Sequence, residues 1–101
     1  MDYILIKHRV KSFNKWKSLF DSFLENRRNA GELSYRIFVT AGEPNNLILL
    51  VEWDNYANFR EFFDSEEVRK LMINAGVIGT AEVFFLNEIA AGRIQTEATF
   101  T

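Results

Sequence analysis

Acid–base chemistry near neutral pH has one obvious carrier in this sequence, because His8 is the only histidine among 101 residues and there is no cysteine. Two readings of it stand side by side. As a general base His8 would take a proton from a phenol or an enol; as a structural residue it would be a hydrogen-bonded histidine at the edge of the core, since lone histidines seldom prove catalytic. Arg36 is the second candidate. Inside an apolar pocket its guanidinium would grip a carboxylate or an enolate through two parallel hydrogen bonds, whereas at a pocket rim it would form a salt bridge to Asp or Glu. Trp53 is the third, either a stacking face for a flat ligand or a core-filling ring. Residue counts exclude other chemistries: without cysteine there is no thiolate nucleophile, disulfide or Cys-ligated metal centre, and one histidine does not make a preformed zinc site. No Gly-rich phosphate loop occurs; Gly76 and Gly79 flank Val77-Ile78 without following a strand and read as loop glycines.

The elements that must position these residues follow from hydrophobic period and turn chemistry. Asp2 to Val10 alternates as a strand, with Ile4, Ile6, His8 and Val10 on one face and Tyr3, Leu5, Lys7 and Arg9 on the other. Ser12 is an N-cap. Phe13, Trp16, Phe20, Phe23, Leu24 and Arg27 then recur at three- and four-residue spacing, which predicts one amphipathic helix running to Asn29-Ala30-Gly31. Leu33 to Ala41 alternates again, Gly42 to Asn46 supplies a turn, and Leu47 to Asp54 is a nearly continuous apolar strand, so the two form a hairpin. Asn55 caps a helix through Tyr56, Phe59, Phe62 and Phe63; Ser65 starts a further helical segment with Val68, Leu71 and Met72 that ends at Ala75-Gly76. Ala81 to Ile89 is expected as the last strand.

This βαββαβ order is the ferredoxin-like α+β plan, a four-stranded antiparallel sheet with both helices on one face. If the hairpin pairs Ala41 with Asn46, Arg36 falls beside Val51 and Ser34 beside Trp53, all facing the helices. Ile6, Leu49 and Val51 then floor a pocket roofed by Phe59, Phe63 and Met72, with His8 and Trp53 toward its opposite ends, out of mutual contact. The other sheet face would carry Tyr3, Leu5, Phe84 and Leu86, with Glu52 and Glu82 as polar groups among them. So much exposed apolar surface calls for a partner, and a second copy laid sheet to sheet would cover it.

A 48% hydrophobic share with 26% charged residues and one proline describes a globular chain, expected as one domain over 1–91 with a polar, weakly patterned tail over 92–101. Fifteen aromatic rings, ten of them Phe, favour cores, pockets and interfaces. The net charge of −2 divides into +4 over Met1 to Arg28 and −6 beyond it. Lys11, Lys15, Lys17, Arg27 and Arg28 resemble the solvated face of a helix and carry no nucleic-acid-binding motif, so a nucleic-acid partner is not expected. The longest apolar run, Leu47 to Val51, is far too short for a membrane span, and the absence of cysteine fits the reducing cytosol.

Several stretches resemble the dimeric α+β barrel superfamily, in particular small proteins of the antibiotic-biosynthesis-monooxygenase-like or cyclase-like kind. They are Lys7-His8-Arg9-Val10, Phe13-Asn14-Lys15-Trp16-Lys17, Ala30-Gly31 before Ser34-Tyr35-Arg36, Pro44-Asn45-Asn46, Val51-Glu52-Trp53-Asp54 and Leu71 to Val77. The resemblance implies a homodimer with a sheet–helix pocket in each subunit. It implies either a cofactor-independent monooxygenase or cyclase acting on a small aromatic or polyketide-like molecule, or a binding or structural homodimer without chemistry. The heme-degrading branch uses a histidine on the second helix, and Asn55 to Gly76 contains none; the matching position falls near Met72, so although Trp53 matches that branch's tryptophan, heme degradation is not expected. No cofactor or metal is implied.

Overall fold

A computed structural model describes residues 1–94. The tail expected over 92–101 lies, from 95 on, outside the described residues. The elements run β1 (Asp2–Val10), α1 (Phe13–Ser22), α2 (Leu24–Ala30), β2 (Glu32–Thr40), β3 (Glu43–Trp53), α3 (Tyr56–Phe63), α4 (Glu66–Asn74) and β4 (Val77–Leu86). The strands form one antiparallel sheet in the order β2-β3-β1-β4, which is the ferredoxin-like arrangement.

Alternation along β1 sets the two faces. Ile4, Ile6, His8 and Val10 are buried under the helices, while Tyr3 and Leu5 are half-buried and Lys7 and Arg9 exposed on the other side. The core continues through Leu47, Leu49, Val51 and Trp53 of β3, with Trp16 from α1 and Phe59 from α3 packed onto them. The three capping residues read from the sequence all cap: Ser12 Oγ accepts from Lys15 N at 3.4 Å, Asn55 Oδ1 from Asn58 N at 2.8 Å and Ser65 Oγ from Val68 N at 3.2 Å.

The first helix is not continuous. It breaks at Phe23, whose N–H turns back to Phe20 O at 3.2 Å, and the Ser22 hydroxyl donates to Leu19 O at 2.7 Å, a local bond that competes with the helical ladder. The hairpin also differs from the expected turn. Only Ala41-Gly42 forms it, with Gly42 at φ +81° and Thr40 opposite Glu43, while Pro44, Asn45 and Asn46 lie within β3 where its register against β2 shifts. β4 likewise starts earlier than expected, at Val77. Gly79 (φ +72°) is part of an irregularity where four β4 steps, Glu82 to Ile78, span two β1 steps, Lys7 to Arg9. It is a bulge glycine rather than a loop glycine.

Candidate functional site

The hairpin register decides which side chains reach the helix-covered face. Tyr35 stands opposite Val51, Ile37 opposite Leu49 and Arg36 opposite Leu50. That is one residue away from the expected pairing, and because successive strand side chains alternate, the shift sends Arg36 to the open face. Arg36 is exposed there. It acts on Tyr3, whose hydroxyl is held above its ordinary pKa first by the Glu52 carboxylate and then by Glu88, with Arg36 opposing them. Arg36 therefore does not line the pocket. The physical reason is Pro44-Asn45-Asn46, which the strand absorbs instead of the turn.

Between the sheet and the helices lies a cavity of about 90 Å³. Ile6, His8, Leu49, Val51 and Trp53 form its floor, and Phe59, Phe63 and Met72 belong to its helical side, whereas Ser34, expected beside Trp53, stands opposite Glu52 and donates to its carboxylate at 3.0 Å. His8 and Trp53 sit at opposite ends. His8 pairs across the sheet with Leu47 and Trp53 with Asp2, six residues apart along β1. Trp53, 1% exposed, meets Phe59 edge to face at 5.5 Å and Phe62 at 5.5 Å. His8, 9% exposed, meets Trp16 edge to face at 5.6 Å.

One pair of charges was not foreseen on this face. Arg27 and Glu32 both line the cavity and form a salt bridge with each side chain 6% exposed. The guanidinium lies over the Phe20 ring at 3.7 Å, and its Nη2 donates to Phe20 O at 3.0 Å. The helix break explains the second bond: in an unbroken helix Phe20 O would belong to the N–H of residue 24, and here it is shared by Phe23 and Arg27. Grouping Arg27 with the solvated lysines is thus corrected. Its spacing from Phe20 and Phe23, seven and four residues, carried the signal that it shares their apolar stripe.

Electrostatics follow from the burial of the site. Burial lowers the His8 pKa to about 4, with a hydrogen bond to the backbone of Leu47 opposing it, so the imidazole is neutral at pH 7. Burial raises Glu32, and the charge and hydrogen bond of Arg27 oppose that rise. Among the described residues, the buried side-chain nitrogens and oxygens without a partner are His8 Nδ1, Arg27 Nε and Trp53 Nε1. All three belong to residues lining this cavity. A buried polar atom left without a hydrogen bond costs about 1–3 kcal/mol, and each of these three nitrogens is itself closed off from the cavity by its neighbours.

Among the described residues no group of three or more His, Cys, Asp or Glu side chains is placed to hold a metal, and no helix is long and apolar enough to cross a membrane. The open sheet face carries Phe84 and Phe38, 44% and 49% exposed, with Leu86 beside Tyr3 and Phe84 beside Leu5 across the β1–β4 pair. Glu82 stands directly opposite Lys7 on it.

No family model matches the sequence, and no curated protein matches it. Solved structures do match in fold. A structure of an antibiotic biosynthesis monooxygenase superposes with a TM-score of 0.66 at 20% identity, over 89% of this chain and 100% of the other. The fold is that of the antibiotic-biosynthesis-monooxygenase-like proteins. SnoaB, a cofactor-independent oxygenase from Streptomyces nogalater, superposes with a TM-score of 0.67 at 13% identity over 96% of each chain. A conserved protein from Methanosarcina mazei Go1 does so with 0.66 at 16% identity, over 86% of this chain and 91% of that one.

Proposed function

We propose that this chain, as a homodimer joined through its open sheet faces, holds a small planar aromatic or polyketide-like molecule between sheet and helices, the short helices parting to widen a cavity that at about 90 Å³ is smaller than such a molecule, and acts on it as a cofactor-independent monooxygenase or cyclase. The observation that carries the reading is an aromatic, almost wholly apolar cavity between sheet and helices with His8 and Trp53 in its lining. In this reading His8 is the base, Trp53 is the stacking face, and Ile6, Leu49, Val51, Phe59, Phe63 and Met72 supply the apolar bed. The working unit is 1–91, in the cytosol, with 92–101 as an appendage. The fold shared with SnoaB supports oxygenation as the chemistry to test first.

The pKa of His8 restricts the substrate. Moving a proton from an ordinary phenol, at about 10, to an imidazole at about 4 costs about 8 kcal/mol. Proton abstraction is therefore confined to a carbon or oxygen acid made stronger by a neighbouring carbonyl, as in an anthrone or a 1,3-diketone. The same low pKa favours a second reading, a binding protein in which His8 only accepts a hydrogen bond.

The test is mass spectrometry of small molecules carried through purification, followed by oxygen uptake with 1,8-dihydroxyanthrone as probe. Oxygenation would convert its ring CH₂ and one O₂ to a ketone and water. Uptake that falls at least tenfold in His8→Leu supports the enzyme. Saturable binding without uptake selects the binding protein, and no binding of any aromatic probe rejects the pocket reading.

A further inference from the structure

A second hollow lies outside the first. It is a cleft of about 520 Å³ bordered by α2, α3 and α4, to which α2 contributes Asn26, Asn29 and Ala30. Phe62 and Val68 line the cleft and the inner cavity alike, and α2 borders both, with Arg27 in the lining of one and its two asparagines in the lining of the other. Little more than α2 and those two side chains therefore separates the two spaces. The inner one holds about 90 Å³, and a guest the size of benzene already takes a cavity of about 150 Å³, so a planar aromatic molecule enters only if this wall gives.

The part of the wall least tied down is α2. The helices α1, α3 and α4 each bury an apolar side chain, Trp16, Phe59 and Val68, whereas the one buried side chain of α2 is Arg27. Its anchorage is polar, to Glu32, to Phe20 O and to the face of the Phe20 ring. When α2 leaves the body both charges regain their hydration together, so this anchorage resists opening less than apolar burial of the same extent would. At seven residues α2 is the shortest of the four, and it is bounded by the break at Phe23 and by Gly31 at φ +129°. The Gly31 end is fixed to the sheet, since its carbonyl accepts from Asp54 N at 3.0 Å. Few buried apolar contacts between two backbone breaks are the marks of a segment that opens locally.

We infer that α2 is the door of the site: it unwinds between Phe23 and Gly31, carrying Arg27 off Glu32, and so joins the outer cleft to the inner cavity and admits a planar aromatic molecule across Phe62 and Val68. The inference rests on the pocket reading above and adds the route of entry to it. A ligand arrives first in the cleft and moves inward only while α2 is open, so the population of the open form scales the rate of binding.

Two exposed positions give the same perturbation to different helices. Arg28 on α2 and Lys70 on α4 have side chains 60% and 72% exposed, each paired with a glutamate of its own helix, and glycine at either should raise unwinding of that helix about fivefold. Association of 1,8-dihydroxyanthrone, kept free of oxygen, is followed by quenching of Trp16 and Trp53, which line the cavity, and helix opening by amide hydrogen exchange. The hydrogen-bonded amides of α2 are expected to exchange fastest among the four helices. Arg28→Gly should raise both their exchange and the association rate about fivefold, while Lys70→Gly should raise exchange in α4 and change association by less than about twofold. Amides of α2 as protected as those of α3, faster α2 exchange with unchanged association, or equal acceleration by the two variants would overturn the inference while leaving the pocket reading intact. Failure of the parent to bind the probe would overturn both.

Discussion

Glu32 pairs with Trp53 across the β2–β3 ladder and is bonded from the other side by Arg27 of α2, so the charged end of the cavity is tied to sheet and helix at once. The helix break at Phe23 and the aromatic stack over the guanidinium are parts of the same corner.

Breaking that corner from one side should be far worse than removing it. Arg27→Ala leaves Glu32 buried and unpaired, and is expected to destabilise the protein by about 3–5 kcal/mol in urea unfolding. Arg27→Met/Glu32→Leu should lie within about 1.5 kcal/mol of the parent, because neither charge is left behind. Equal losses in the two variants would show that shape, rather than the unpaired charge, governs the site.

His8 makes stability depend on acid. Its folded pKa of about 4 lies below the ordinary value of 6.5, so the unfolded chain binds the extra proton between those limits and stability falls as pH drops from about 6.5 to 4. The full contribution is about 3 kcal/mol. Unfolding free energies measured from pH 7 to pH 4 should show this loss in the parent relative to His8→Leu. A constant difference between the two proteins would mean that the imidazole titrates normally.

The open face gives a separate readout. Light scattering should return about 24 kDa, twice the 11.8 kDa of the chain, and Phe84→Asp should halve it by burying a charge against its copy. Arg36→Ala, on this face, is expected to change the affinity for 1,8-dihydroxyanthrone by less than about twofold. A larger effect of Arg36 on the probe would contradict the register.

Gly31 holds the turn between α2 and β2 at φ +129°, and a Cβ there would run into the Asp54 carboxylate. Its carbonyl also accepts from Asp54 N at 3.0 Å. Gly31→Ala should cost about 2 kcal/mol or more in thermal or urea unfolding. Gly31→Ala/Asp54→Gly should recover the steric part and retain the cost of the backbone angle.

Most of the fold could be read from the sequence because its signals are local and redundant. Alternation in β1 and the apolar run of β3 fixed the faces, Ser12, Asn55 and Ser65 fixed three helix starts, and the order of elements fixed the sheet. What escaped reading is long-range. Arg36 moved to the other face because three residues beside Pro44 entered the strand, and a slip of one residue changes every side chain beyond it. Arg27 was hidden by its charge: only its partner five residues on, and a carbonyl freed by the helix break, make its burial tolerable.

The four helices over the cavity are 10, 7, 8 and 9 residues long, and isolated helices below about 12–15 residues are marginal in water. The roof is therefore held up by what lies beneath it rather than by its own backbone. On the proposed function, a guest in the cavity would become part of the scaffold, and the protein without it would open more often at a helix. Proteases act on such openings in proportion to their population, so the supply of ligand would set how long each copy survives as well as how often the site is used.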